Sequence, residues 1–211
     1  MGFSMDDIRL LTAAVILLGY LLGSIPFGLI LTRLTGAGDL RAIGSGSIGA
    51  TNVLRTGRKG LAAATVLLDG GKGALAVLLG HALLPEGGDA LGGVMAFIGH
   101  CYPVWLRFRG GKGVATMLAV ALTLYWPAGV AFALTWITML AITRISSVSG
   151  MSAAIAAPLA ALALGERAML TALFAMAALV LWRHRPNIAR LVGGTEPRVG
   201  GNKGGVGTKT A

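Results

Sequence analysis

The chain has 211 residues, of which 55% are hydrophobic and only 12% charged; a soluble domain carries about a quarter charged residues, so an ordinary soluble domain is excluded and an integral membrane protein is indicated. Its one cysteine, Cys101, excludes an intrachain disulfide framework, and with only His81, His100 and His184 beside it no zinc-ligand spacing exists. The formal net charge of +10 does not mark a nucleic-acid binder, because the bases lie between apolar segments and not in one stripe with interleaved aromatics.

Seven apolar segments follow in chain order: Ile8–Leu34, Leu61–Leu84, Leu91–Leu106, Val114–Tyr125, Pro127–Ile142, Met151–Leu164 and Ala168–Trp182. The opening MGFSMDDIR has no basic stretch before the first of them, so a cleaved leader is not expected and the first helix stays. That helix carries Gly19-x-x-x-Gly23 and Ser24-x-x-x-Gly28, patterns that let helices approach closely in lipid, and Pro26 predicts a kink. Spanning takes about 20 residues, which the first two segments satisfy. Val114–Tyr125 reaches only roughly 18 Å as a helix; it and Pro127–Ile142 are either one kinked span or a helical hairpin around Tyr125-Trp126-Pro127.

Charge decides between these. With seven spans and the N-terminus outside, 15 of the 18 basic residues share one side, against Arg9 and Arg167 on the other and Lys72 inside a segment. The positive-inside rule puts the crowded side in the cytoplasm. The expectation is therefore an all-α polytopic membrane protein with seven transmembrane helices, the fourth and fifth short, N-terminus outside and C-terminus cytoplasmic. Residues 1–192 form its single membrane domain, and 193–211 a Gly-rich tail with no apolar pattern, expected to be disordered.

In this topology four polar clusters reach the cytoplasmic side: Gly44-Ser-Gly-Ser-Ile-Gly-Ala-Thr-Asn-Val-Leu-Arg55, Phe108-Arg-Gly-Gly-Lys-Gly-Val-Ala-Thr116, Arg144-Ile-Ser-Ser-Val-Ser149 and Arg183-His-Arg-Pro-Asn187. Each pairs cations with hydroxyls, amides or glycine backbone, which suits a ligand rich in anionic oxygens. Glycine lets backbone N–H groups approach phosphate. Gly110-Gly111-Lys112-Gly113 precedes a helix, whose N-terminus adds free donors and partial positive charge. It is no P-loop, since Leu106 stands where the first glycine of that motif belongs. Topology alone explains basic loops such as Arg58-Lys59, but not the repeated pairing of cations with serine, threonine and asparagine.

Asp69 and Lys72 lie three apart inside the second segment, on one helical face. Ionisable groups there face the bundle interior and pair, here either as a structural ion pair or as a direct substrate contact. His100, in Gly-His-Cys-Tyr-Pro103, reads as a packed or interfacial residue that orders the following loop. His184 sits between two arginines that disfavour its protonated form. It either binds a hydroxyl, acts as a base, or is a solvated residue at the membrane edge.

The ordered set GSGSIGATNVLR, GHCYPVWLRFRGGKGVAT, RISSVSG and HRPNIARLVGGTEPR resembles the bacterial membrane glycerol-3-phosphate acyltransferases that use acyl phosphate as donor. The resemblance runs from about Gly23 to Arg198. It implies transfer of a fatty acyl group from acyl phosphate to the 1-hydroxyl of glycerol 3-phosphate, giving lysophosphatidate and inorganic phosphate, the first acylation of phospholipid synthesis. It also implies a seven-helix inner-membrane enzyme with its site on the cytoplasmic side, among membrane lipids, and no cofactor, metal or nucleic acid. Carried over, Ser45 looks catalytically essential, with Gly46, Thr51, Asn52 and Arg55 serving the phosphate pocket. Gly110, Gly111 and Gly113 with Lys112 resemble the glycerol-phosphate-binding loop. Ser147 and Ser149 belong to the shortest motif and add donors, His184 and Asn187 look functional, and Glu196 looks structural. Ser-Ile-Gly at 47–49 departs from the Asn-Pro-Gly of many relatives, which leaves the polar ligands in place.

The loops offer no carboxylate–histidine pair, and no histidine is followed five positions on by aspartate. The expected chemistry is therefore direct attack of the glycerol-phosphate hydroxyl on the acyl carbonyl, a donor phosphate oxygen accepting the proton; an acyl-Ser45 intermediate is the rival. An organic-phosphate transporter and a non-catalytic anionic-lipid binder are the other function classes.

Overall fold

The computed structural model describes residues 4–43 and 46–200. Helix α1 (Met5–Gly23) opens on a capping box: Asp7 N–H donates to Ser4 Oγ at 3.1 Å and Ser4 N–H donates to Asp7 Oδ2 at 3.0 Å. It stops before Pro26, which has no N–H to continue the ladder, and α2 (Phe27–Leu34) resumes beyond it. The stretch expected as one kinked helix is thus two helices with a break. Lipid offers no hydrogen-bond donors, so the carbonyls freed there must find partners within the protein. Ser24 O accepts from Trp105 Nε1 at 2.6 Å and Ile25 O from Lys72 Nζ at 2.8 Å.

The remaining helices are α3 (Ala50–Leu54), α4 (Lys59–Leu83), α5 (Gly88–Cys101), α6 (Val114–Leu124), α7 (Trp126–Thr143), α8 (Ser146–Ala163), α9 (Leu170–Arg183) and α10 (Arg185–Val192), and no strand occurs among the described residues. Four units are long and apolar enough to cross a membrane: α1 with α2, α4, α7 and α8. The expectation of a short fifth segment is corrected, since α7 has 18 residues. The short apolar helices are α6 and α9, of 11 and 14 residues, and α5 has 14. The third apolar run looked longer because it continues past Pro103 into a 3-10 turn at Val104–Leu106, whereas its helix ends just before that proline.

Between α6 and α7 the chain reverses. Tyr125 is extended (φ −152°, ψ 93°), and Gly129 lies so close to the Leu122 backbone that a Cβ would collide with it. Seven residues along a continuous helix would be about 10 Å apart, so the hairpin reading holds over the kinked span. Glycine also sets the packing of α1, α4 and α5. Gly23 rests on the Ala96 backbone, Gly80 on Gly88 and Gly92 on Ala76, each without room for a Cβ, as expected where contact area and not water drives helix association. Phe97, Met117, Val120, Phe132, Leu173, Met176 and Val180 fill the core between α5, α6, α7 and α9.

After α10 the chain turns back on the bundle, where Val199 N–H donates to Arg144 O at 2.7 Å. Residues 193–200, grouped with the tail on composition, are hydrogen-bonded to the helices; 201–211 lie outside the described residues.

Candidate active site

The Gly110–Gly113 loop leads from the α5 end into α6 and is held from three sides. Gly110 and Gly111 N–H donate to Cys101 O and His100 O at 3.2 and 3.0 Å. The Arg183 guanidinium donates to Gly110 O at 2.9 Å and Gly111 O at 3.1 Å, and stacks 4.9 Å from the centroid of the Tyr102 ring. Gly113 has φ +82° and faces the Phe97 ring, with no space for a side chain. The glycines are thus required by packing against His100, Pro103 and Phe97. The N–H groups of Gly110 and Gly111, read from sequence as phosphate donors, are spent inside the protein. Thr116, the other polar residue of that motif, donates from Oγ1 to Asp69 O at 2.9 Å.

Lys112 is what the loop presents. Its Nζ donates to Asn187 Oδ1 at 2.6 Å, Asn187 Nδ2 donates to Glu196 Oε1 at 2.6 Å, and Ser147 Oγ donates to the same oxygen at 2.6 Å. Arg190 Nε completes the carboxylate at 2.7 Å from Oε2. Only this orientation of the Asn187 amide gives both neighbours a complementary partner. Burial would raise the Glu196 carboxyl, but the hydrogen bonds from Ser147, Asn187 and Arg190 outweigh it and hold the group below its ordinary range. Burial pushes the Lys112 ammonium down to about 8; Glu196 opposes this, while Arg190, Arg55 and Arg183 add to it.

His184 is buried at the end of α9. Its Nδ1 lies 2.8 Å from Val180 O, so the proton sits on Nδ1 and Nε2 offers a lone pair. Burial first, and Lys112 second, push the imidazole down to about 4. It is neutral at pH 7, an acceptor and a feeble base. Nε2 faces Gly150 in α8, at 3.7 Å from where a Cβ would stand.

Asn52 is only 2% exposed and donates from Nδ2 to Leu40 O, Ile43 O and Ser47 O at 2.8, 3.0 and 2.8 Å. Expected at the phosphate, its amide instead braces the loop before α3. Thr51 Oγ1 lies 3.0 Å from Ser146 Oγ, joining the first and third clusters. Ser149 donates back to Ile145 O at 3.0 Å and is fully buried, which turns its hydroxyl into its own helix. Arg55 is half-buried and makes no side-chain hydrogen bond among the described residues. Ser45 lies outside the described residues. Asp69 and Lys72 form an ion pair of 2.7 Å beneath the site, both buried.

Three of the four clusters line one cleft of about 260 Å³, formed by Gly46, Ser47, Arg109, Gly110, Lys112, Trp182, Arg183, Arg185 and Pro186. That is a little under the range for drug-sized ligands, roughly 300–1,000 Å³, and its four cations suit a small anion. Of these residues, sequence reasoning singled out Gly46, Gly110 and Lys112; Ser47, Arg109, Arg183 and Arg185 stood within its polar clusters but were given no individual role, since a single arginine in such a loop cannot be told in sequence from a topology-setting charge. Among the described residues no group of three His, Cys, Asp or Glu side chains is placed to hold a metal.

Known proteins are similar to this chain over most of its length. Residues 13–194 match the glycerol-3-phosphate acyltransferase family. A protein from Novosphingobium aromaticivorans named glycerol-3-phosphate acyltransferase is 62% identical over 192 residues, covering 91% of this chain and 97% of that protein. One of the same name from Ruegeria sp. is 59% identical over 185 residues, covering 87% and 91%. The fold is similar to the crystal structure of PlsY (YgiH), described as an integral membrane glycerol 3-phosphate acyltransferase, in its glycerol 3-phosphate form: TM-score 0.85, 35% identity, covering 90% of this chain and 96% of that one. Its lysophosphatidic acid form is similar at a TM-score of 0.83 and 34% identity, covering 90% and 95%. With the family match covering most of its length, the chain belongs to the glycerol-3-phosphate acyltransferase family.

Proposed function

We propose that the protein transfers a fatty acyl group from acyl phosphate to the 1-hydroxyl of glycerol 3-phosphate, releasing lysophosphatidate and inorganic phosphate. The observation that carries this reading is the cleft itself. Arg109, Lys112, Arg183 and Arg185 converge there beside Gly46 and Ser47, the residues that follow Ser45 in the chain. Two phosphorylated reactants repel each other, and a fixed cationic cradle offsets that repulsion while holding them in line. The hydroxyl oxygen attacks the acyl carbonyl carbon, the bond from that carbon to the phosphate oxygen breaks, and the departing phosphate takes the hydroxyl proton. His184 Nε2, neutral and accepting, orients a substrate hydroxyl. Ser45 hydrogen-bonds the reacting groups, and Lys112, Asn187, Ser147, Thr51 and Arg55 serve the glycerol-phosphate side.

The membrane reading is seven crossings, by α1 with α2, then α4, α5, α6, α7, α8 and α9, with the N-terminus outside and the cleft facing the cytoplasm from the inner membrane. The distribution of basic residues supports it; helices shorter than the hydrocarbon core are accommodated by local thinning and by burial in the bundle. Residues 1–192 are the catalytic domain, with 193–200 folded back against it.

Purified protein in detergent tests the reaction. Phosphate release from acyl phosphate that requires glycerol 3-phosphate is expected. Uptake of glycerol 3-phosphate into vesicles without acyl product would make the protein a transporter instead.

A further inference from the structure

Asp69, Lys72 and His100 form a polar cluster beneath the cleft that the proposed chemistry leaves unused. The Lys72 and Asp69 side chains are 1% and 3% exposed. Lys72 Nζ donates to Asp69 Oδ1 at 2.7 Å and to Ile25 O at 2.8 Å, and lies 5.7 Å from the centroid of the Phe27 ring. His100 Nδ1 stands 3.6 Å from Asp69 Oδ1, buried and without a hydrogen-bond partner among the described residues. Charges this deep in a membrane bundle are costly, and packed apolar side chains would serve stability as well. Their retention calls for another reason.

The contacts on either side supply one. Through Ile25 O, Lys72 fixes the break from which α2 starts, and Gly28 of α2 presses on Ile48 O with no room for a Cβ. That is the wall of the cleft carrying Gly46 and Ser47. On the other side, His100 O receives Gly111 N–H at 3.0 Å, and the His100 ring occupies the place a Gly111 side chain would take. That is the wall carrying Lys112. We propose that Asp69, Lys72 and His100 are positioning residues that fix the two walls of the cleft relative to each other, and so set the distance between the groups holding the two substrates.

This rests on the proposed reaction, and the wild-type protein therefore comes first: no acyl transfer by it defeats that reaction and this inference with it. Given active wild type, the full chain in detergent is compared with Asp69→Asn/Lys72→Met, which removes both charges together, and with His100→Gln, which leaves the ion pair whole. Folded protein is quantified by gel filtration and thermal melting, so that KM and kcat refer to folded enzyme. The KM for glycerol 3-phosphate is expected to rise about tenfold or more in both variants, with kcat falling as well, since misplacement by about 1 Å costs that much or more. A purely structural cluster would lower the yield of folded protein and leave its KM and kcat within about twofold of wild type; that result overturns the proposal. Where the double variant does not fold, His100→Gln decides on the same criterion.

Discussion

Lys112 titrates near physiological pH because it is buried, and this gives the catalytic cycle an upper pH limit. The ordinary lysine value is 10.5, and here it is pushed down to about 8. The sign is that of a cation lost early: above about pH 8 the side chain is neutral in the empty protein, and a neutral amine holds phosphate poorly. The second ionisation of a phosphate monoester is near pH 6, so the substrate is a dianion throughout the relevant window and adds no limb of its own. Each unit above pH 8 removes about nine-tenths of the remaining charged Lys112, so kcat/KM for glycerol 3-phosphate falls about tenfold per unit between pH 8.5 and 9.5. The quantity to measure is kcat/KM, since it reports the free enzyme. Lys112→Met loses a charge-assisted bond worth about 1.5–3 kcal/mol, or roughly 10- to 150-fold in kcat/KM at pH 7. Lys112→Arg keeps its charge and loses the alkaline limb, whatever its absolute rate. A flat wild-type profile from pH 7 to 9.5, or the same limb in Lys112→Arg, refutes the reasoning.

His184 gives a limit on the acid side, in stability. Its imidazole is held near 4 against an ordinary 6.5, so the unfolded chain binds the proton first. The stabilisation is complete above about pH 6.5 and is lost as pH falls towards 4. It is worth on the order of 3 kcal/mol, read as a falling melting temperature in detergent that His184→Gln flattens over that window. Asn52 gives a stability prediction of a different kind. Asn52→Asp sets a carboxylate against the carbonyls of Leu40, Ile43 and Ser47 and leaves all three without their donor. A loss of at least about 1–3 kcal/mol follows, whereas Thr51→Ala, at an exposed position, leaves the melting temperature within a degree or two of wild type.

What could be read from the sequence follows from what lipid demands. Continuous apolar runs and their bounding charges are imposed by the bilayer, so the order of the helices was legible. So was the turn at Tyr125, once charge had been counted. The break at Pro26 was legible only as a kink, because the partners that make a full break tolerable, Lys72 and Trp105, lie 47 and 81 residues away in sequence. Within the site the motifs gave residue types but not directions. Asn52 and the N–H groups of Gly110 and Gly111 have the chemistry of phosphate donors, yet each faces a carbonyl of its own chain. Arg183, read in sequence as a cation facing the ligand, holds the glycine loop instead. Such directions are set by tertiary packing, here by the placing of His100 and Phe97 under the loop.

Direct transfer in this cleft is tested most directly by one single-turnover measurement. Protein at a concentration comparable to acyl phosphate is mixed with it in the absence of glycerol 3-phosphate, and inorganic phosphate is followed; glycerol 3-phosphate is then added. Direct attack predicts no burst before the addition, then phosphate and lysophosphatidate appearing together in equal amounts. A stoichiometric burst of phosphate before the addition, with the acyl group recovered on Ser45, would contradict it.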